Sequence, residues 1–370
     1  MSKGLEDVVA STSAITFIDG VRGRLVYCGY DIADLSEHSN YEEVTYLLWH
    51  NRLPQRDELA AFTLELGARR RLPNGVMSSI DSLSLDCDTM DALEMAIASL
   101  GIYDEKELSR METAQSIASK IGTIVAYIHR HKSGLHQLEA KEGTSFASDL
   151  LYLLTGKEPD AFSEKLMNVL LVLHADHELN ASTFTARVVA STLSDMYSSV
   201  TAAVAALKGP LHGGANERVV EMVQQVGSPE NVPEFLQKKL ASKEKIMGFG
   251  HRVYKTLDPR AKILRSYAGR VASTSKEKND LAILDALADE MIRQKGIYPN
   301  VDFYSGFVLQ HLQVPTYLFT PLFAVGRTPG WLAHIMEQYS NNRIMRPIAE
   351  YTGSRDERYV PIELRGKINA

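Results

Sequence analysis

Four short segments of the 370-residue chain put ionisable side chains at the ends of expected elements, where they face a cleft instead of a core. They are HADHELN (174–180), GPLHGGANE (209–217), GFGHRVYKTLDPR (248–260) and YPNVDFYSG (298–306). In GPLHGGANE, Pro210 ends one helix and Asn216 is placed as the N-cap of the next, so His212 lies just before a helix N-terminus. The positive end of that helix disfavours imidazolium. A neutral His212 can donate a hydrogen bond to an oxygen that gains negative charge. A capping or packing histidine has the same local signature. In GFGHRVYKTLDPR, Gly248 and Gly250 let backbone approach a flat ligand, His251 is held on the bend, and Lys255 and Arg260 offer separate anion contacts. A basic solvated loop reads the same way. In YPNVDFYSG, Asp302 sits between Val301 and an aromatic, bracketed by Pro299 and Gly306. Partial desolvation there makes a carboxylate a candidate general base, with an Asx-turn or helix N-cap as the alternative.

His174 and His177 in HADHE are three apart, a spacing that also suits metal ligands on one helical face. No third ligand stands at any metal-site spacing, and His129, His131 and His136 read as a solvated basic tract, so no metal is expected. One of the pair fits a substrate contact and the other a satisfied core histidine. Arg327 in PLFAVGRTPGW and Arg346 in NNRIMRPIAEY each lie beside Gly or Pro breaks. With Arg260 they make three guanidinium groups, the type best suited to bidentate carboxylate recognition, so the expected guest is a small anion with several carboxylates.

The elements that carry these segments are mostly helices. ITFIDGVRGRLVYCGYDI (15–32) alternates apolar and polar residues around Asp19-Gly20 and predicts a hairpin with a tight turn. Thereafter YEEVTYLLWHNRLP, DELAAFTLELGARRR and ETAQSIASKIGTIVAYIHRHK keep the 3–4 spacing of amphipathic helices. Segment 183–208, rich in Ala, Ser and Thr, predicts one long helix packed closely against others or against a partner subunit. The region 217–300 holds shorter, more charged helices and reads as a smaller domain inserted into a larger helical one. The domains are drawn at 1–215 with 310–370, and at 216–309. Lys plus Arg number 40 against 46 Asp plus Glu, so the formal charge of −6 gives no global basic field for nucleic acid. Two cysteines are too few for a disulfide framework, and neither VLLVL (169–173) nor the N-terminal stretch is apolar enough for a membrane or leader segment. The cytoplasm is the expected location.

Taken in order, IDGVRGRLVYCGYDIADL, EEVTYLLWHNRLP, HADHELNASTFTARV, GPLHGGANE, GFGHRVYKTLDPR, PNVDFYSG and YVPIELR resemble the citrate synthases, in the shorter bacterial and archaeal form that includes the 2-methylcitrate synthases. The resemblance covers nearly the whole chain and implies a mainly α, two-domain helical fold with a small N-terminal β-hairpin. It implies that Asp302 takes a methyl proton from acetyl-CoA, that His212 stabilises the enol, and that His251 polarises the carbonyl of oxaloacetate. It assigns His177, Arg260, Arg327 and Arg346 to the carboxylates of oxaloacetate. Backbone at Ile246, Gly248, Phe249 and Gly250 would line the adenine pocket, with Lys255 near the CoA phosphates. Acetyl-CoA enters as substrate, and no tightly bound cofactor is implied. The family further implies a homodimer in which each site borrows Arg346 from the other subunit. Propionyl-CoA is the alternative acyl donor, and the intact Asp302, His212 and His251 set argues against a non-catalytic ligand-binding paralogue. Two departures are Cys28, where Arg is common, and Ser354, where Pro is usual.

Overall fold

The alternation in TFID and RLVY becomes two strands in the computed structural model, which describes residues 3–5 and 8–365. Strands β1 (Thr16–Asp19) and β2 (Arg24–Tyr27) pair antiparallel, Thr16 opposite Tyr27 and Asp19 opposite Arg24. The Asp19 carboxylate accepts from the N–H groups of Val21 and Arg22 and so builds the expected turn. A second turn follows at Cys28 and Gly29, both at positive φ (47° and 95°), and adds a short third strand, β3 (Tyr30–Asp31). Two successive positive φ values match the right-handed twist of the strands they join.

Everything else of regular structure among the described residues is helical, with sixteen α-helices after the sheet. Two of them form the centre. Arg110–Lys132 is buried without interruption from Ala114 to Ala126, and Phe319–Ser340 is buried on nearly every side through Ile335. Helices enclosed all round need apolar or small residues on every face, which these sequences supply. Each fully buried Leu or Ile contributes about 1.5–3 kcal/mol relative to exposure. None of the helices among the described residues is long and apolar enough to cross a membrane.

Two expectations fail here. Segment 183–208 is not one helix. It divides into Ala181–Ser191 and Met196–Lys208, because Leu193 takes a positive φ of 66° and the Asp195 side chain caps the second helix through Ser198 N–H at 2.8 Å. The small residues Ala186, Ala190, Ala203 and Val204 are buried within the chain itself. The histidine tract is not solvated as a whole. His129 is buried with Nδ1 2.7 Å from the Tyr317 hydroxyl, and Arg130 donates to the carbonyls of His136 and Leu153. The outermost positions of the expected large domain, 1–2, 6–7 and 366–370, lie outside the described residues.

The long Phe319–Ser340 helix also seats the HADHELN loop. It runs on through Pro329 and Gly330, where the Pro329 carbonyl accepts from Trp49 Nε1 and Gly330 N–H donates to the Ala175 carbonyl. A Cβ on Gly330 would lie 2.2 Å from that same carbonyl oxygen, so only glycine lets the loop come this close. Arg327 therefore projects from an unbroken helix, not from beside a chain break as its glycine and proline neighbours suggested.

Candidate active site

His212 follows the Met196–Lys208 helix and precedes Ala215–Val226. The cap of the second helix is Gly214 at φ 76°, not Asn216, which lies inside the helix and is buried. The glycine pair explains the shift, since a Cβ on Gly213 would meet the Leu207 carbonyl oxygen at 2.3 Å. His212 Nε2 accepts from the backbone N–H of Ser182 at 3.2 Å and lies 2.8 Å from its hydroxyl. Because a backbone N–H can only donate, Nε2 carries no proton, and the neutral ring has its hydrogen on Nδ1. Burial, reinforced by the Arg327 charge, pushes the His212 imidazole down to about 4. The ring is a neutral donor at pH 7.

His251 reaches the same condition by the opposite tautomer. Its Nδ1 accepts from the N–H groups of Val253 (3.0 Å) and Tyr254 (3.2 Å), which leaves the hydrogen on Nε2. Burial and then the Arg260 charge lower it to about 4. His177 lies with its ring centroid 4.9 Å from that of His251 and is held well below the usual imidazole range by burial, then by Arg260. The other histidine of HADHE is buried too, but its Nε2 has no hydrogen-bond partner among the described residues. His174 turns inward, Nδ1 donating to the Leu170 carbonyl at 2.7 Å, with its ring edge-on to Phe323.

Asp302 is placed by pairing between segments. Gly250 N–H donates to the Tyr298 carbonyl, Asn300 N–H to the Gly248 carbonyl, and the Asn300 side chain to the Gly250 carbonyl, while Phe249 faces Pro299. A Cβ on Gly248, which has φ 78°, would meet Phe303 and Val219 at 2.8 Å. Asn300, not Asp302, caps the Val301–His311 helix, so the Asp302 carboxylate is not consumed as the cap. Burial pushes that carboxyl up to about 6, against the pull of Arg260 and Arg327.

The two buried arginines are themselves fixed. Arg260 makes a two-pronged ion pair with Asp258 (Nε 3.0 Å, terminal nitrogen 2.7 Å), and Asp258 also caps the Pro259–Val271 helix. Arg327 gives Nε to the His174 carbonyl at 2.5 Å, and burial lowers it to about 10. Among the described residues its terminal nitrogens have no hydrogen-bond acceptor. The charge of one or both arginines is felt at His177, His212, His251 and Asp302, which gathers the four into one electrostatic neighbourhood.

Of the remaining expected residues, Lys255 reaches that neighbourhood with its charge, which helps lower His251. Ile246 is buried, while Lys255 is exposed and its backbone N–H donates to the Gly20 carbonyl at 2.8 Å. Gly248 and Gly250 spend backbone groups on residues 298–300, so only part of that backbone is open to a ligand. Arg346 is exposed on the segment beyond Ser340. Of the departures, Cys28 keeps its thiol against Leu47 and Asn51, burial pushing it up to about 12, and Ser354 accepts from the Tyr351 hydroxyl through its carbonyl. No three His, Cys, Asp or Glu side chains among the described residues gather as a metal site would require.

Ser182, Asp258 and Tyr254 were not singled out from sequence. Asp258-Pro259 is a readable helix start, an N-cap followed by proline, and could have flagged the partner of Arg260. Ser182 and Tyr254 carry no such local signal.

A buried carboxyl poised near neutrality, two neutral imidazole donors and two buried guanidinium groups suit carbon-acid chemistry on an anionic partner. Residues 4–348 match the family described as "Citrate synthase, C-terminal domain", and the chain belongs to the citrate synthase family. "Citrate synthase 2" of Bacillus subtilis is 46% identical to it, covering 98% of this chain and 99% of that one. The "2-methylcitrate synthase" of Shewanella oneidensis is 38% identical, covering 98% and 97%. The same fold occurs in the citrate synthase of Thermoplasma acidophilum, solved as a ternary complex with carboxymethyl coenzyme A and oxaloacetate, with a TM-score of 0.93, 35% identity and 99% of each chain covered. The mainly α architecture with a small N-terminal sheet is the fold that the resemblance implied.

Proposed function

We propose that this enzyme condenses acetyl-CoA with oxaloacetate and water to give citrate and CoA, with Asp302 as base, His212 as enol stabiliser and His251 as the group that polarises the keto acid. The observation that carries this reading is a carboxyl raised to about 6 that shares the field of Arg260 and Arg327 with two neutral imidazoles, each with its proton position fixed by a backbone N–H on the other ring nitrogen. A thioester methyl group is a weak acid. Removing its proton needs a base of more than usual carboxylate strength and a donor to the oxygen that becomes the enol, which His212 Nδ1–H can supply. His251 Nε2–H then draws electron density from the carbonyl of oxaloacetate, and the enol carbon attacks it. The citryl thioester so formed is hydrolysed. One such oxyanion donor contributes about 3–4 kcal/mol, and bringing base, enol and electrophile together about 7–11 kcal/mol.

His177, Arg260 and Arg327 bind the oxaloacetate carboxylates in this scheme, and Ile246 to Gly250 with Lys255 take the CoA. Residues 216–309 form a closing domain over 1–215 and 310–370, since His251 and Arg260 come from the first and His177 and Arg327 from the second. Closure excludes water until the carbon–carbon bond is made. A homodimer is supported by the segment after Ser340, where Ile344, Ile348, Tyr351, Tyr359, Ile362 and Leu364 are all largely exposed. So much apolar surface on an extended tail calls for a cover, and a second copy whose site receives Arg346 provides it. The cytoplasm, where both substrates are soluble, is the proposed location, and nothing in the reaction calls for a nucleic acid or a membrane.

The test is CoA thiol release with oxaloacetate and either acetyl-CoA or propionyl-CoA. Acetyl-CoA is expected to be preferred; one methylene in an apolar pocket is worth roughly 10–200-fold. Faster turnover of propionyl-CoA would make the chain a 2-methylcitrate synthase, and no thiol from either would make it a binding protein. Arg260→Lys keeps a charge beside Asp258 but loses the planar fork. It is expected to raise the KM for oxaloacetate about tenfold while kcat changes less, the scale of one charge-assisted hydrogen bond. An unchanged KM in steady-state assays would remove Arg260 from carboxylate binding.

A further inference from the structure

Tyr254 has no role in the scheme above, yet it is the buried member of a loop whose neighbours Arg252, Val253 and Lys255 are exposed. Its backbone N–H is one of the two that orient His251. Its ring lies 4.6 Å from the His251 ring and 5.6 Å from that of His177, and its hydroxyl is 3.3 Å from His177 Nε2. Among the described residues the hydroxyl has no other hydrogen-bond partner. A buried phenol left without one would be costly, so the contact with His177 fixes where both rings sit. The loop is braced from the far side by the β1–β2 turn. Lys255 N–H donates to the Gly20 carbonyl at 2.8 Å, and a Cβ on Gly20 would fall 2.2 Å from the Val253 carbonyl oxygen. With the turn pressed this closely on Val253, Tyr254 cannot leave His177 without moving the whole loop.

We infer that Tyr254 is a positioning residue that holds the His177 ring in register with His251, so that both imidazoles address one bound keto acid. The inference rests on the assignment of both histidines to oxaloacetate. His177 lies between the Ala161–His174 and Ala181–Ser191 helices, and Tyr254 lies just before Pro259–Val271. The hydroxyl therefore links the two units proposed to close on each other, and oxaloacetate binding depends on that link.

Tyr254→Phe keeps both ring contacts and removes one hydrogen bond. It is expected to raise the KM for oxaloacetate about 3- to 10-fold, with kcat and the KM for acetyl-CoA at saturating oxaloacetate changed by less than about threefold. The thermal midpoint should fall by no more than a few degrees. In a His177→Asn chain the same substitution should add no further effect, because a residue that acts through His177 has nothing left to position. Tyr254→Leu, a second chain without the hydroxyl, must raise the KM at least as far. An unchanged KM in Tyr254→Phe or Tyr254→Leu, or full additivity with His177→Asn, overturns the inference. Oxaloacetate binding to the wild-type chain by calorimetry separates the two levels. A wild type that does not bind overturns the reading of the whole site, whereas a wild type and a Tyr254→Phe chain that bind equally well overturn the role of Tyr254 alone.

Discussion

Asp302→Asn is expected to lower kcat by about 10²–10⁴, the usual contribution of a positioned acid–base group, with oxaloacetate binding almost unchanged. The amide occupies the same space, and the cap of its helix is Asn300, so the fold does not depend on the Asp302 carboxylate. What the amide cannot do is take a proton. The raised affinity of Asp302 for a proton, caused first by burial, is what makes an aspartate strong enough for a thioester methyl group while leaving it ionised above about pH 6. A loss below tenfold would remove Asp302 from the role of base. A parallel loss of oxaloacetate affinity would show instead that the carboxylate supports Arg260 or Arg327, the two cations that share its surroundings.

The second large effect is restoration of activity. Asp302→Asn and Arg346→Ala chains should each be nearly inactive as homodimers if every site takes Arg346 from the partner. Unfolded together and refolded, they form mixed dimers in which one site combines the intact Asp302 of the second variant with the intact Arg346 of the first. The other site carries both lesions. Activity well above that of either variant alone is the expected result, read by thiol release after size separation of the dimer. The exposure of Arg346 on its own chain motivates the experiment. If wild-type chains recover from the same treatment while the mixture stays inactive, Arg346 acts within its own chain or has no part in the reaction.

Much of this site can be read from sequence because its residues sit where backbone chemistry is visible. Gly213 and Gly248 mark close approaches, Gly214 and Gly250 mark positive φ, and Pro210 marks a helix end. What escaped was of two kinds. Local signals inside a helical pattern were outweighed by periodicity: Asp195 divides segment 183–208 although the apolar spacing runs on, while the helix that carries Arg327 runs on through Pro329-Gly330. Long-range contacts left no local trace at all. The tautomer of His212 is set by Ser182, thirty residues away, and the place of His177 by Tyr254, seventy-seven residues away. The buried state of His129 and Arg130 likewise comes from packing that a run of charged and polar residues does not advertise.

The central claim, that a buried Asp302 is the base beside histidines that are already neutral, is tested most directly by the pH dependence of kcat/KM. A base works when deprotonated, so the rate should rise with pH through about 6 and then stay level. His212 and His251, lowered to about 4, should add no descending limb near neutrality. The residual activity of Asp302→Asn should lose the limb near 6. A limb near 4 with none near 6 in the wild type, a bell centred near neutrality, or a limb near 6 that survives in Asp302→Asn would contradict the account.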